Sequence, residues 1–162
     1  MSHWINIRGN LYDLSIPRVM GIINVTPDSF YEGSRYSDVD DLIRAVEKMV
    51  SEGADIIDIG CVANEDNSKR IFEIISLIKT HYNCPMSIDS LNPSEITQAV
   101  LAGADLVLSI TMDNLSSLKD LPKDISLVCI PFENSEKEQS INGRMSKLVM
   151  LGNRLNVLGF NK

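Results

Sequence analysis

The sequence predicts an α/β fold assembled from repeated strand–helix units. Three observations carry this. Five short apolar runs (Val19–Val25, Asp55–Ile59, Pro85–Ile88, Leu106–Ile110 and Ile125–Ile130) are nearly unbroken rather than alternating, as in a parallel sheet covered on both faces. Amphipathic stretches lie between them. Glu52-Gly53-Ala54-Asp55-Ile56-Ile57 recurs 50 residues later as Ala102-Gly103-Ala104-Asp105-Leu106-Val107, each time where a helix gives way to a strand. Five such units fit either an open doubly wound sheet or a piece of a barrel, and pattern leaves both open. A closed barrel takes eight units and about 250 residues; this sequence has 162.

Before the first run, Trp4–Ile7 and Leu11–Leu14 read as a hairpin with Gly9-Asn10 at the turn. Pro17 then breaks the chain. The first helix is expected to be capped by Ser37, with Asp38, Asp40 and Asp41 in its opening turn and Leu42, Ala45, Val46, Met49 and Val50 inward. The second spans about 68–82, with Ile71, Ile74, Ile75 and Ile78 on one face. The third has Asn92 as N-cap, Pro93 in its first turn, Glu95 placed for a capping box and Gly103 as its stop. A short helix follows Asn114. The last runs over about 140–158, with Ile141, Met145, Leu148, Val149, Leu151 and Leu155 inward.

Composition narrows the function classes. The chain is 44% apolar with 15 basic and 22 acidic residues, net charge −7. That suits one folded domain with a core and argues against disorder. An acidic balance argues against a broad nucleic-acid binder. No apolar run is long enough to span a bilayer, and the amino-terminal residues lack a signal-peptide pattern. Cys61, Cys84 and Cys129 lack CxxC spacing and read as reduced, buried thiols of a cytoplasmic protein.

In either architecture function sits at the carboxyl ends of the strands. There the sequence places Asn24 with Asp28 and Ser29, then Asp58, Asp89 and Ser109. Asp89 ends an apolar strand. A carboxylate there suits a ligand with two adjacent N–H donors, or else caps the following turn. Asn24, Asp28 and Ser29 offer oxygen ligands for a phosphate and its Mg²⁺, or form an Asx turn. His3 and His81 are expected to be exposed. No phosphate-binding glycine loop or Ser/His/Asp signature is present.

These residues carry a family resemblance. Met20-Gly21-Ile22-Ile23-Asn24-Val25-Thr26-Pro27-Asp28-Ser29-Phe30 closely resembles the first signature of dihydropteroate synthases. Gly53–Gly60 resembles the second strand of that family, and Ser87-Ile88-Asp89-Ser90 the third. The resemblance implies a TIM-barrel (β/α)8 type fold, here incomplete, with about five βα units behind an amino-terminal β-hairpin. It implies one pterin-binding domain over 1–162, truncated relative to the full barrel. The family joins a pterin pyrophosphate to p-aminobenzoate with Mg²⁺, in folate biosynthesis. By resemblance Asn24 sits on the pyrophosphate and metal side, Asp89 grips the amino-pyrimidine edge and Asp58 orients the adjoining loop. Ser109 stands where the family has a pterin-binding Asn.

The departures imply impaired or absent activity in this short chain. Where the family continues Gly-Gly-Glu-Ser-Thr-Arg-Pro, Gly60 is followed by Cys61-Val62-Ala63-Asn64-Glu65-Asp66-Asn67. The Thr-Arg pair that meets the anionic substrate is missing and two acids occupy the loop. The sequence stops where the family's sixth strand begins. The expected partners are pterin pyrophosphate and p-aminobenzoate, and either a second copy or a barrel-completing chain. The alternatives are a non-catalytic pterin- or partner-binding module, a truncated gene product, or a pterin-dependent methyltransferase-like domain. The last uses a similar strand-three Asp, but Thr26–Phe30 points away from it.

Overall fold

A computed structural model of the chain describes residues 3–24, 39–61, 66–131 and 140–160. Strands β1 (Trp4–Ile7) and β2 (Asn10–Asp13) form an antiparallel hairpin. Its two-residue turn is Arg8-Gly9, with φ +45° and +85°. The expected turn at Gly9-Asn10 is therefore one residue late. A two-residue hairpin turn of this kind takes positive φ at both central positions, and Asn10 already pairs with Ile7.

Strands β3 (Met20–Asn24), β4 (Ile56–Gly60), β5 (Met86–Asp89), β6 (Leu106–Ile110) and β7 (Ser126–Cys129) form one parallel sheet in sequence order. They match the five apolar runs to within one residue at each end. Helices α1 (Val39–Ser51), α2 (Ser68–His81) and α3 (Pro93–Ala102) link the first four strands, a 3₁₀ turn over Leu115–Leu118 follows β6, and α4 (Ile141–Val157) follows β7. A doubly wound sheet reverses its strand order and covers both faces with helices. Here the order never reverses, and one core joins all four helices to one face of the sheet. Ile23, Ile57, Ile59, Ile88 and Val107 meet Leu42 and Val46 of α1, Ile71, Ile75 and Ile78 of α2, Ile96 of α3, and Leu151 and Leu155 of α4. This is the grammar of a barrel.

The apolar runs conceal a period of two. Ile22, Asp58, Ser87 and Leu106 share one register row on the opposite, inner face. At the amino ends that face is plugged by the hairpin, where Ile7 packs with Ile56 and Leu106, backed by Ile5 and Tyr12. The Ser126 hydroxyl donates to the Asn6 carbonyl (2.5 Å). Higher up, Ile22 is 56% exposed.

The repeated hexapeptide is a shared helix stop. Gly53 and Gly103 take φ +102° and +112°, and the next N–H bonds back into the helix in both copies (Ala54 to Met49 and Ala104 to Ala99, each 2.9 Å). The cap expected at Ser37 lies outside the described residues. Asn92 caps α3 as expected, accepting from the Ser94 N–H at 2.9 Å. The capping box does not form: the Asn92 N–H donates to Ser90 Oγ instead, and Glu95 turns inward. The inward stripe of α4 is also corrected. Leu151 and Leu155 are buried, but Ile141, Met145, Leu148 and Val149 are exposed. Among the described residues no strand lies beyond β7, so the amino-terminal half of α4 has nothing to cover.

Among the described residues no helix is long and apolar enough to cross a membrane. All three cysteines are unpaired and half-buried, and burial pushes each thiol up from its ordinary value.

Candidate functional site

At the carboxyl ends, Asn24, Gly60, Asp89 and Leu108 stand in one register row on the inner face. Gly60 makes this row possible. A Cβ built there would collide with Asn24 Oδ1, so the amide lies directly over the glycine backbone. Asp89 is exposed and accepts the Ser109 hydroxyl at 2.5 Å. Its own carbonyl accepts the Cys61 N–H (3.1 Å), which ties the end of β4 to the end of β5.

Asp58 lies one inner-face position deeper and is only 4% exposed. The Ser87 hydroxyl donates to it at 2.5 Å. Burial raises its carboxyl above the usual carboxylate range, Ser87 opposes this, and the Asp89 charge adds to it. Glu95 is 2% exposed and accepts from the Ser90 hydroxyl and from the Asn67 backbone N–H (2.9 Å). It therefore joins the turn after Asp89 to the start of α2. Cys61 lies beside it. Its thiol is pushed up first by burial and then by the Glu95 charge.

Ser109 owes its direction to a bulge. The pairing of β6 with β7 shifts between Val107 and Ile110, and Ser109 takes φ +62°. Val107 and Ile110, three apart, both enter the helix-covered core. The extra residue re-aims Ser109 toward Asp89. Buried Asn114 holds this backbone. It accepts the Thr111 N–H (2.9 Å) and donates to the Ser109 carbonyl (3.1 Å).

Of the residues marked in the sequence, Asn24, Asp58, Asp89 and Ser109 thus gather at one end of the sheet. Asp28, Ser29 and Glu65 lie outside the described residues. Asp66 is exposed and accepts the nearby Ser68 N–H (2.9 Å). His3 and His81 are exposed, as expected. Sequence reading missed Ser87, Glu95 and Asn114. Ser87 could have been found, since two residues before Asp89 on a strand lies the same face. Glu95 and Asn114 looked like helix-start residues.

The cluster is rich in acceptors. Among the described residues, its three acids have hydroxyl and amide donors but no cation. Such an end suits a ligand that brings N–H donors. For a metal, the described residues hold no group of three or more ligating side chains. One hard amide oxygen at Asn24 fits the way Mg²⁺ is commonly held, by few protein oxygens and mainly by substrate phosphates and water.

A sequentially ordered parallel sheet, helices on one face and a polar cluster at the carboxyl ends define a barrel-type α/β protein, with that cluster at the end where such barrels carry their sites. Residues 20–142 match the family described as pterin binding enzyme, and the chain belongs to that family. It is 39% identical over 98 residues to dihydropteroate synthase of Clostridium beijerinckii, covering 55% of this chain and 36% of that one. It is 33% identical over 128 residues to dihydropteroate synthase of Haemophilus influenzae, covering 73% and 46%. Its fold is similar to a Coxiella burnetii dihydropteroate synthase solved in complex with pteroic acid: TM-score 0.76, 29% identity, covering 99% of this chain and 63% of that one. The matched part spans less than half the length of the curated relatives.

Proposed function

We propose that the chain is a single pterin-binding domain of dihydropteroate synthase type, serving folate-type chemistry. The observation that carries this reading is the inner-face row Asn24–Gly60–Asp89, with Asp89 tethered by Ser109 and acceptor-rich. In this reading Asp89 grips the amino-pyrimidine edge of the pterin through charge-assisted hydrogen bonds. Asn24 faces the pyrophosphate and its Mg²⁺. That ion, when bound, would neutralise the leaving pyrophosphate. Asp58 supports the row from below, and Ser109 serves through Asp89. The likeness to a synthase solved with pteroic acid supports a pterin as ligand and p-aminobenzoate as its partner substrate.

Turnover by this chain is proposed to be weak or absent, because Cys61–Asn67 lacks the Thr-Arg pair of the family motif. Product formation from pterin pyrophosphate and p-aminobenzoate with Mg²⁺ would overturn that part. The unpaired thiols suit a reducing compartment, so the cytoplasm is the proposed location. Exposed Ile22 and Val128, on the sheet's two outermost strands β3 and β7, support a further polypeptide or second copy pairing there. A monodisperse monomer in light scattering would count against it.

Calorimetric titration tests the site. Asp89→Asn turns an acceptor into a donor facing donors and should weaken pterin binding by about 10- to 100-fold, or about 1.5–3 kcal/mol. Asn24→Ala should weaken a pterin pyrophosphate with Mg²⁺ and leave a phosphate-free pterin nearly unaffected. If the unmutated chain binds no pterin at millimolar concentration, the reading fails.

A further inference from the structure

Asp89 is exposed at a strand end, where a carboxylate ordinarily rotates freely. Among the described residues, one hydrogen bond restrains it, from the Ser109 hydroxyl to Oδ1 at 2.5 Å. That hydroxyl reaches Asp89 because Ser109 sits in the left-handed region at φ +62°, within the bulge of β6. A serine there clashes through its Cβ and does not hold that conformation unaided. The surrounding contacts must impose it. Buried Asn114, five residues on, grips both sides of the kink: it donates to the Ser109 carbonyl (3.1 Å) and accepts the Thr111 N–H (2.9 Å). The Asn114 carbonyl accepts the Ser117 N–H (3.1 Å) and the Ser117 hydroxyl (2.7 Å) in the following 3₁₀ turn, whose Leu118 is in the core, so the grip is anchored to packed structure.

We infer that Asn114 is a positioning residue for the ligand carboxylate Asp89, acting through the strained Ser109. Asn114 imposes the kink, the kink aims the Ser109 hydroxyl, and the hydroxyl fixes one oxygen of Asp89. Each carboxylate oxygen accepts about two hydrogen bonds. Among the described residues no other group donates to the Asp89 carboxylate, which leaves acceptor capacity on it for a ligand with two adjacent N–H donors. A carboxylate held in this pose before binding loses less side-chain freedom when the ligand arrives. The ligand class rests on the pterin reading above; the positioning does not.

Three variants of the full chain test this. Ser109→Gly removes the hydroxyl and the strain together, since glycine takes positive φ freely. Its thermal midpoint should hold or rise while phosphate-free pterin binds about three- to tenfold more weakly. Asn114→Ala should lower the midpoint, because two backbone groups lose their partner, and should weaken binding by a similar factor. In the double variant, Asn114→Ala should lower the midpoint again with no further loss of affinity. An equal affinity loss from Asn114→Ala with and without Ser109 would overturn the inference. If Asn114→Ala does not fold, Asn114→Asp replaces it, since it keeps the acceptor for Thr111 and loses the donor to Ser109.

A ligand-free readout separates this from the pterin reading. Scalar couplings across the Asp89 Cα–Cβ bond should report one rotamer in the unmutated chain and averaging in each variant. Unchanged couplings overturn the inference even if pterin binds. Absence of pterin binding by the unmutated chain overturns the function proposed above, and the couplings alone then decide this one.

Discussion

At the amino ends of the strands, Asp55 and Asp105 occupy matching positions in the repeated hexapeptide. Each accepts a backbone N–H at the start of a neighbouring strand, from Val19 just before β3 and from Met86 of β5, both at 2.9 Å. Each also meets a cation: Arg18 Nη1 lies 2.8 Å from Asp55, and Lys79 Nζ 2.6 Å from Asp105, with Arg8 at 3.8 Å. At the carboxyl ends Asp58, Asp89 and Glu95 have serine hydroxyls, and Glu95 an amide, but no cation among the described residues. The same residue type is compensated at one end and left short of positive charge at the other. The first arrangement stitches strands together. The second leaves acceptor-rich carboxylates without a cation among the described residues, the arrangement that the proposed donor-bearing ligand would complete.

The largest effect expected from this contrast is at Asp105. Asp105→Ala leaves half-covered Lys79 with the Cys84 carbonyl (2.9 Å) but no counter-charge, strands an N–H at the start of β5, and should cost about 2–4 kcal/mol in denaturant unfolding. Pterin affinity should change little. A loss under about 1 kcal/mol would break the comparison at its amino end.

Asp58→Asn should behave in the opposite way. It keeps an acceptor for Ser87 and removes a buried charge, so stability at neutral pH should stay within about 1 kcal/mol of the unmutated chain, on the stabilising side. A clear destabilisation would show that the charge of Asp58 is compensated after all.

The smallest effect is in the pH dependence, where the two ends should differ in sign. The Val19 N–H, and then Arg18, hold Asp55 below the usual carboxylate range. Its contribution is present above the unfolded value of about 3.9 and is lost as pH falls through the lower folded value. Asp58 is raised by burial, so the folded chain keeps its proton to higher pH than the unfolded chain does. Its effect is a loss of stability as pH rises from about 3.9 through the folded value. The stability gap between Asp55→Asn and the unmutated chain should therefore close below about pH 4. The gap for Asp58→Asn should open above it. Unfolding curves from pH 3 to 7 for both variants check this: as pH rises the unmutated chain should gain on Asp55→Asn and fall behind Asp58→Asn, and stability differences that change with the same sign would overturn it.

Much of the fold and part of the site are legible in the amino-acid sequence by itself. The five strands are visible because an apolar run long enough to cross a sheet needs no distant partner to be recognised. The α3 boundaries follow from Asn92, Pro93 and Gly103, which act on backbone groups one to four residues away. Asn24 and Asp89 stand out because each is a polar residue closing an apolar strand. What tertiary structure alone decided depends on residues far apart in the chain. Whether the sheet winds one way or two is set by which strands pair, and no local pattern carries that. Glu95 looks like half of a capping box until Asn67, 28 residues earlier, supplies its N–H. Ser109 looks like an ordinary strand residue until a bulge against β7 and a contact with Asp89, 20 residues earlier, turn it around. The apolar stripe of α4 looks buried throughout, yet burial depends on what lies opposite, and only Leu151 and Leu155 meet the core. Local chemistry decides where elements start and stop; which of their polar groups become a site is settled by the neighbours that packing brings to them.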